Sequence, residues 1–262
     1  MFSPDQMSNL VTDLMPAALK AGEVIMEIHR RGVVARTKSD GSPVSEADEA
    51  AEAILLAALA DVAPDIAVVS EENAASHALD PRPAFFLVDP IDGTREFLRT
   101  DGNGAFTVNI GLVMDGRPVF GIVYAPALDR FFAGIVGSGA WETSGGKTRS
   151  IKVRPVPADG PLAVASRSHR DPQTNAWLED NGITKTTAIG SSVKFGLLAA
   201  GEADVYPRFG PTMEWDTAAG DAVLRAAGGR LAFINGSEFT YGKPDYRNPP
   251  FVAYAGYTDG LS

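Results

Sequence analysis

The chain has 262 residues, which is long enough to bury a large hydrophobic core as one α/β unit or as two lobes. Its formal net charge of −10 argues against nucleic acid and anionic membranes as bulk partners, so an anionic substrate would need bound cations or a local basic pocket. The absence of cysteine excludes disulfides and thiol chemistry.

No targeting or membrane-spanning segment is expected. Residues 1–13 carry neither the basic start nor the apolar stretch of a signal peptide. The longest apolar span, residues 50–60, is far too short to cross a bilayer. Because the lack of cysteine also suits a reducing compartment, we expect a cytoplasmic protein. Peripheral association with the inner membrane is left open.

The first quarter of the chain has helical periodicity. Residues 10–28 repeat apolar side chains at helical spacing, and Pro16 is expected to start or to kink this helix. A turn-rich loop follows at residues 38–43. Ser45 is then expected to cap a second helix that extends to Val62.

The middle of the chain changes to strand periodicity. Two short apolar runs predict buried strands, and three alternating segments joined by turns predict antiparallel hairpins. The predicted strands cover residues 66–69, 85–88, 106–113, 119–125 and 130–136. This part of the chain should therefore form a largely antiparallel sheet.

Helices and strands alternate in the last third of the chain. The predicted strands cover residues 162–166, 186–189, 203–206 and 230–233, and the predicted helices cover residues 172–181, 192–200 and 216–227. A Pro-rich connector at residues 154–161 marks a lobe boundary. We expect a layered α/β (α+β) fold with an N-terminal lobe, residues 1–155, and a C-terminal α/β lobe, residues 156–262.

The most informative motif is Asp89-Pro90-Ile91-Asp92-Gly93-Thr94, which directly follows a predicted buried strand. Two carboxylates this close, both ionised at neutral pH, repel each other unless a cation lies between them. Further acids occur upstream in Ser70-Glu71-Glu72 and downstream in Trp215-Asp216. Oxygen ligands without cysteine and with little histidine favour Mg²⁺ or Mn²⁺.

The residues around these acids suit a phosphate group. Gly93 leaves room for a ligand against the chain, and Thr94 is expected to open a short helix whose N–H groups favour an anion. Glu71, Asp89, Asp92 and Asp216 could then share two metal ions about 3.5–4 Å apart. Such a pair clamps a phosphoryl group and activates water.

Each motif also has a simpler explanation when it is taken alone. An Asp-x-x-Asp-Gly segment is usually a solvated turn, and Ser45-x-x-Asp48 is sufficient as a capping box. The Trp-Asp pair could be a helix start with an acid at its favourable end. An EF-hand does not fit, because its third and twelfth positions would be Ile91 and Thr100. Only the set of motifs in this order distinguishes a catalytic site from these alternatives.

That ordered set resembles the lithium-sensitive, Mg²⁺-dependent phosphatase superfamily of inositol monophosphatase and fructose-1,6-bisphosphatase. The resemblance covers about residues 38–254. Within the superfamily the chain is most similar to the bacterial 3′(2′),5′-bisphosphate nucleotidases. The segments that carry this similarity are residues 94–97, 106–110, 166–169, 190–195 and 206–212.

The resemblance implies a sandwich of alternating helix and sheet layers and a phosphomonoesterase. Its substrate would be a nucleoside bisphosphate, adenosine 3′,5′-bisphosphate or its sulfated form, which would lose its 3′-phosphate to water with two or three Mg²⁺ ions, or Mn²⁺ as a substitute. The N-terminal lobe would bind metal, and the C-terminal lobe would add the nucleotide contacts and the last metal ligand, so both would form one catalytic unit. No nucleic-acid partner is implied, and both a monomer and a homodimer are left open.

The resemblance also implies roles for individual residues. The implied metal ligands are Glu71, Asp89, the Ile91 carbonyl, Asp92 and Asp216. The implied catalytic residues are Asp48, Glu71 and Thr94, of which Asp48 and Thr94 would help to deprotonate water. The implied substrate contacts are Gly93, Thr94, Ser166, His169, Gly190, Ser191, Ser192, Lys194, Arg208 and Asp216. Taken alone, His169 and Lys194 would be interpreted as loop and surface polar groups.

Two departures from the family pattern and three rival functions are left open. Ser45 replaces the usual Thr, and the loop at residues 100–104 is longer than expected, which should alter the mouth of the site. The nearest rival is an inositol monophosphatase or an enzyme of mixed specificity. An aspartyl-phosphate phosphatase fits poorly, because its acids lie two residues apart rather than three. A non-catalytic nucleotide sensor would tolerate loss of Thr94 or Asp48, and both are present.

Overall fold

A computed structural model describes residues 4–33, 35–37, 43–79, 83–99, 104–166 and 171–257. Residues 38–42 and 100–103, where the sequence predicts loops, lie outside these ranges. The helices of the described residues are α1 (Pro4–Arg31), α2 (Glu46–Val62), α3 (Thr94–Phe97), α4 (Pro172–Asp180), α5 (Val193–Ala199) and α6 (Ala218–Ala226). Short 3₁₀ helices cover Ala74–Ala78, Pro126–Leu128, Glu214–Asp216 and Pro244–Tyr246.

The strands belong to one large sheet, one smaller sheet and two short pairs. In chain order they are β1 (Ala35–Thr37), β2 (Pro43–Ser45), β3 (Ala67–Ser70), β4 (Ala84–Asp92), β5 (Thr107–Met114), β6 (Arg117–Ala125), β7 (Arg130–Ile135), β8 (Gly139–Ser144), β9 (Lys147–Ile151), β10 (Leu162–Ser166), β11 (Lys185–Ile189), β12 (Val205–Arg208), β13 (Thr212–Met213), β14 (Arg230–Phe233), β15 (Arg247–Asn248) and β16 (Phe251–Tyr254).

The outer layer consists of α1 and α2, which pack against each other and against the large sheet. The apolar face of α1 is fully buried at Leu14, Ala18 and Ile25. Pro16 lies inside α1, so the prediction that it starts the helix is wrong. A helix can continue through proline when packing outweighs the one lost hydrogen bond, and here buried apolar residues lie on both sides of it.

The second helix begins as the sequence predicts. The Ser45 hydroxyl accepts a hydrogen bond from the Ala47 N–H at 3.2 Å, and the Ser45 N–H donates to Asp48 at 2.7 Å. These two bonds make the predicted capping box and satisfy backbone donors that a helix start leaves open.

The large sheet lies beneath these helices. Among the described residues its strand order is β3-β4-β5-β6-β7-β8-β9, with β3 parallel to β4 and all other neighbours antiparallel. Sequence periodicity predicts neither β8 nor β9. The sequence of β9 is Lys-Thr-Arg-Ser-Ile and four of its five side chains are exposed, so it carries no alternation of apolar residues.

The smaller sheet has the order β11-β10-β12-β16-β14 within the described ranges, and β10 is parallel to both of its neighbours. Helices α5 and α6 lie between the two sheets, while α4 packs on the outer face of the smaller sheet through Leu178. The close fit of α6 explains why Gly121 occupies the middle of β6. A Cβ atom there would lie 2.1 Å from the Ala219 carbonyl oxygen. The predicted sandwich of alternating helix and sheet layers is thus confirmed.

Candidate active site

Strand β4 carries Asp89 and Asp92, which a break in the pairing register between β4 and β5 brings to the same side of the sheet. Asp89 pairs with Asn109 of β5, and Asp92 pairs with Thr107, so three steps along β4 match two steps along β5. In a regular strand, residues three apart point to opposite faces of the sheet. The extra residue in β4 is a β-bulge, and it lets both carboxylates face the same side.

Two other chain segments bring acids to the same point. Glu71 follows β3, whose parallel pairing with β4 places Ser70 beside Val88. Asp216 ends the 3₁₀ helix that precedes α6. Carboxylate oxygens of Glu71, Asp89 and Asp216 all lie within 4.8 Å of one another.

This cluster is strained electrostatically. Burial, followed by the charges of Glu71 and Asp92, raises the pKa of Asp89 well above its ordinary range. Burial, followed by Asp92 and Glu71, also raises the pKa of Asp216. Three converging carboxylates therefore resist full ionisation unless a positive charge is supplied.

One atom shows what kind of charge would fit. The Asp89 Oδ1 atom accepts the Ile91 N–H at 3.0 Å, but Oδ2 is buried and has no hydrogen-bond partner among the residues described. A buried, unpartnered carboxylate oxygen is costly. Because the atoms of the cluster that could bind a metal are all oxygens, the residues present fit a hard divalent cation such as Mg²⁺.

Asp92 has a different environment from the other acids. Its Oδ2 atom accepts hydrogen bonds from both the N–H and the hydroxyl of Ser192, each at 2.5 Å. Asp92 is therefore anchored through one oxygen to the start of α5, which leaves Oδ1 for other interactions.

The turn after Asp92 is shaped by Gly93, whose φ of +90° lies in the left-handed region that favours glycine. The next residue, Thr94, begins α3 as expected, and its hydroxyl donates to the Ile91 carbonyl at 3.2 Å. The structure thus places the Thr94 hydroxyl and the Ile91 carbonyl together at the edge of the acidic cluster.

A cavity of about 270 Å³ lies over these groups. Most of the site residues expected from the sequence line it, namely Glu71, Asp89, Ile91, Asp92, Gly93, Thr94, Ser166, Ser191, Ser192, Lys194, Arg208 and Asp216. Two do not. Asp48 is buried behind the cavity in its capping box, and Gly190 packs against Glu96, whose Cγ would lie 2.7 Å from a Cβ atom at that position. His169 lies outside the described residues.

Helix α5 and strand β12 supply two cations to the cavity wall. The Lys194 ammonium donates to the Ser191 carbonyl at 2.6 Å and lies 4.9 Å from the centre of the Tyr206 ring. Burial lowers the pKa of Lys194 to about 8, against the opposing effect of Asp92. The Arg208 guanidinium donates to the backbone carbonyls of Gly210 and Pro211. Both cations are therefore held in place by backbone oxygens.

Sequence reasoning assigned no role to several residues that line the cavity, among them Glu96, Tyr206 and Thr217. Glu96 is 4 % exposed, which is unusual for a glutamate. Its position just after the Asp-Gly-Thr turn was the one available signal. Asn109 was also missed as a site residue, because its link to the site runs through a contact with Ser192, 83 residues away.

Comparisons with known proteins agree with this geometry. The sequence model of the inositol monophosphatase family matches residues 6–257. The 3′(2′),5′-bisphosphate nucleotidase CysQ of Shigella flexneri is 42% identical over 238 residues, which covers 89% of this chain and 95% of that protein. The enzyme of the same name from Escherichia coli K12 is 41% identical over the same shares.

Solved structures give the same result. CysQ from Bacteroides thetaiotaomicron, a bacterial member of the inositol monophosphatase family, superimposes with a TM-score of 0.80 at 36% identity, covering 96% of this chain and 98% of that one. Inositol monophosphatase from Anabaena superimposes with a TM-score of 0.75 at 24% identity, covering 95% and 91%, and shows the shared fold alone.

Proposed function

The chain belongs to the inositol monophosphatase family. From that premise we propose that it binds a nucleoside bisphosphate in its acidic cavity and hydrolyses it there. The chain is a phosphoric monoester hydrolase of the 3′(2′),5′-bisphosphate nucleotidase type. Its substrate would be adenosine 3′,5′-bisphosphate, which loses the 3′-phosphate to give AMP. The observation that carries the proposal is the unpartnered Asp89 oxygen, which shares one cavity with the cations of Lys194 and Arg208.

The metal would be Mg²⁺, with Mn²⁺ as a substitute. Glu71, Asp89 and Asp216 would hold it, with Asp92 and the Ile91 carbonyl completing a set for two or three ions. Bound Mg²⁺ supplies an electrophile for the phosphoryl oxygens and lowers the pKa of water.

The residues of the chain then orient and deprotonate the attacking water. Thr94 faces the cavity and carries a hydroxyl that can exchange its present bond to the Ile91 carbonyl for a bond to water. Glu71 is half-buried at the same edge and can accept the proton. Asp48 does not line the cavity. We propose that it acts indirectly, because its charge raises the pKa of Asp89 and its hydrogen bond with the Ser45 N–H fixes the start of α2.

The cations of the second lobe explain why the substrate should carry two anionic groups. The acidic cluster with its metal accepts the scissile phosphate. Lys194 and Arg208, with Ser166, Ser191 and His169 as further contacts, would receive the second phosphate and the nucleoside. An ammonium held by backbone carbonyls is already oriented, so little side-chain entropy is lost when an anion binds.

The contacts of Asp92 and Asp216 with Ser192 support one catalytic unit built from residues 1–155 and 156–262. Within the described ranges, no helix is both long and apolar enough to span a bilayer. We propose a cytoplasmic enzyme, acting as a monomer or a homodimer.

A phosphate-release panel in Mg²⁺ tests the proposal. The substrates are adenosine 3′,5′-bisphosphate, its sulfated form, inositol 1-phosphate and fructose 1,6-bisphosphate. We expect the highest kcat/KM for a nucleoside bisphosphate. A preference for inositol 1-phosphate would overturn the nucleotidase assignment and keep the phosphatase family.

A further inference from the structure

Ser192 contacts two of the acidic residues, Asp92 through its carboxylate and Asp216 through its backbone carbonyl. Its hydroxyl oxygen lies 2.5 Å from Asp92 Oδ2 and 2.8 Å from the Asp216 backbone carbonyl. It also accepts the side-chain N–H of Asn109 at 3.0 Å. Asp92 ends β4 in the first lobe and Asp216 precedes α6 in the second, so this one hydroxyl joins the two halves of the acidic cluster.

The direction of these bonds follows from counting hydrogens. A serine hydroxyl has one hydrogen to donate and two lone pairs to accept with. Since Asn109 donates to it, its own hydrogen is free for Asp92 or for the Asp216 carbonyl. A charged acceptor makes the stronger bond, so the hydrogen points mainly to the carboxylate of Asp92, where it joins the bond from the Ser192 N–H, and it is shared with the Asp216 carbonyl as a three-centre bond.

The environment of Asn109 suits a residue whose role is to hold the Ser192 hydroxyl in place. It is fully buried on β5, directly opposite Asp89 in the strand register. Its side-chain oxygen has no partner within the described part of the chain, and its side-chain N–H donates to Ser192. A buried amide with one unsatisfied oxygen is costly, and this cost points to a role in the site rather than in the core.

We propose that Ser192, held by Asn109, is a positioning residue that fixes the Asp92 carboxylate relative to Asp216 and thereby sets the divalent-cation affinity of the site. The inference rests on the proposed function, because it assumes that these acids bind metal. Two donors on Oδ2 stop the carboxylate from rotating, so Oδ1 keeps one orientation. Ser192 then serves the metal ligands and not only the substrate, in contrast to the substrate-contact role expected from the sequence.

The test measures Mn²⁺ binding without substrate, by the loss of the free Mn²⁺ signal in electron paramagnetic resonance. Ser192→Ala removes the hydroxyl and keeps the backbone N–H. The matched control is Ser138→Ala, an exposed serine at the β7–β8 turn. A hydrogen bond to a charged group corresponds to roughly a tenfold to hundredfold change in an equilibrium constant, so we expect the Kd for Mn²⁺ to rise about tenfold or more in Ser192→Ala and to stay constant in the control.

A second measurement separates positioning from simple stabilisation. If Ser192→Ala lowers the melting temperature but leaves the Kd for Mn²⁺ within about twofold of wild type, the inference is wrong. It is equally wrong if only the KM for the nucleotide rises, because Ser192 is then a substrate contact. Ser192→Cys, whose thiol is a weaker donor of similar size, replaces the alanine variant if that variant does not fold, and the same criterion applies.

The part played by Asn109 is tested by a double-mutant cycle. If Asn109 acts through Ser192, then Asn109→Ala adds little to the Mn²⁺ Kd of Ser192→Ala. Fully additive losses would remove Asn109 from the inference. Wild-type protein that binds no Mn²⁺ and releases no phosphate would contradict the proposed function itself, whereas wild-type binding matched by Ser192→Ala contradicts only the positioning role.

Discussion

His77 stacks on Trp215, with ring centroids 4.8 Å apart and planes inclined by 19°. The same imidazole donates from Nε2 to the Ser70 carbonyl at 2.8 Å. Ser70 precedes Glu71 and Trp215 precedes Asp216, so His77 contacts the chain neighbours of two acids in the cluster.

We therefore expect His77→Ala to weaken Mn²⁺ binding by roughly fivefold or more, since it loses both an aromatic pair and a neutral hydrogen bond, each worth about 0.5–1.5 kcal/mol. His77→Phe is the matched control, because it keeps the stacked ring and loses the hydrogen bond. Its Kd should lie between those of wild type and His77→Ala. A Kd for His77→Ala equal to that of wild type would show that the two acids need no such brace.

Asp89→Asn should reduce phosphate release by at least about 10²-fold, by comparison with the loss of a single electrostatic stabiliser in other enzymes. The same change should stabilise the metal-free protein, because it removes one of three converging negative charges. Urea unfolding in a chelator measures the second effect. Wild-type turnover by the variant would remove Asp89 from the metal site.

The stabilising effect of Asp89→Asn should depend on pH. The pKa of Asp89 is raised in the folded state, so a folded molecule holds this proton where an unfolded one, with a pKa near 3.9, has lost it. The stabilising contribution of that proton is complete below about pH 3.9 and is lost as the pH rises through the folded pKa. The variant should therefore gain stability over wild type as the pH increases from about 5 to about 8. A gap that shrinks over this range would contradict the raised pKa.

Much of this site could be predicted from residue order, but its assembly could not. The motifs of Glu71 and Asp89 stand out in the sequence because their carboxylates follow apolar runs. The bulge that turns Asp89 and Asp92 to one face depends on pairing with Thr107 and Asn109, and no local pattern shows where a register breaks. The anchoring of Asp92 by Ser192 joins residues 100 positions apart, so it follows from tertiary packing and not from a local pattern. Likewise, β9 is held by its neighbour β8 and not by an apolar face.

Thr94→Ala should lower kcat by roughly 10²–10⁴-fold, the usual range for general-base assistance, because the attacking water loses the hydroxyl that orients it. Thr94→Ser keeps that hydroxyl and should retain most of the rate. Mn²⁺ binding should be nearly unchanged in both variants, since losing the Thr94 hydroxyl leaves the Ile91 carbonyl and all of the acids in place as ligands. If Thr94→Ala abolishes metal binding, its role is structural and not catalytic.

Lys194→Ala should raise the KM for adenosine 3′,5′-bisphosphate by about tenfold or more, because a charge-assisted hydrogen bond contributes ~1.5–3 kcal/mol. The change for inositol 1-phosphate, which lacks a second phosphate, should be much smaller. The exposed Lys147→Ala provides the control for loss of one positive charge. Equal effects on both substrates would remove Lys194 from specificity.

The titration of Lys194 gives a check on the same assignment in the unmodified enzyme. Its pKa is lowered to about 8, so the ammonium is mostly charged below that pH and mostly neutral above it. The KM for the bisphosphate should rise from about pH 7 to about pH 9 in wild type and should change less in Lys194→Ala. Parallel profiles would assign the pH dependence to another group.

Family membership implies that Li⁺ blocks turnover and that Ca²⁺ does not support it. Ca²⁺ prefers longer bonds and more ligands than a compact Mg²⁺ site provides, and the three carboxylates here converge within 4.8 Å. Phosphate release in Mg²⁺ with added Li⁺, and in Ca²⁺ alone, measures both effects. Full activity in Ca²⁺, or indifference to millimolar Li⁺, would argue against this geometry.

The fit between Gly121 and α6 has a consequence for catalysis. Because a side chain at residue 121 would strike the Ala219 carbonyl, the helix rests directly on the β-sheet backbone, and it starts just after Asp216. A helix seated this closely has little room to move toward the sheet, because close-packed interiors resist compression. Asp216, which lies two residues before α6, is thus held at a fixed height above the sheet whose strand β4 carries Asp89 and Asp92.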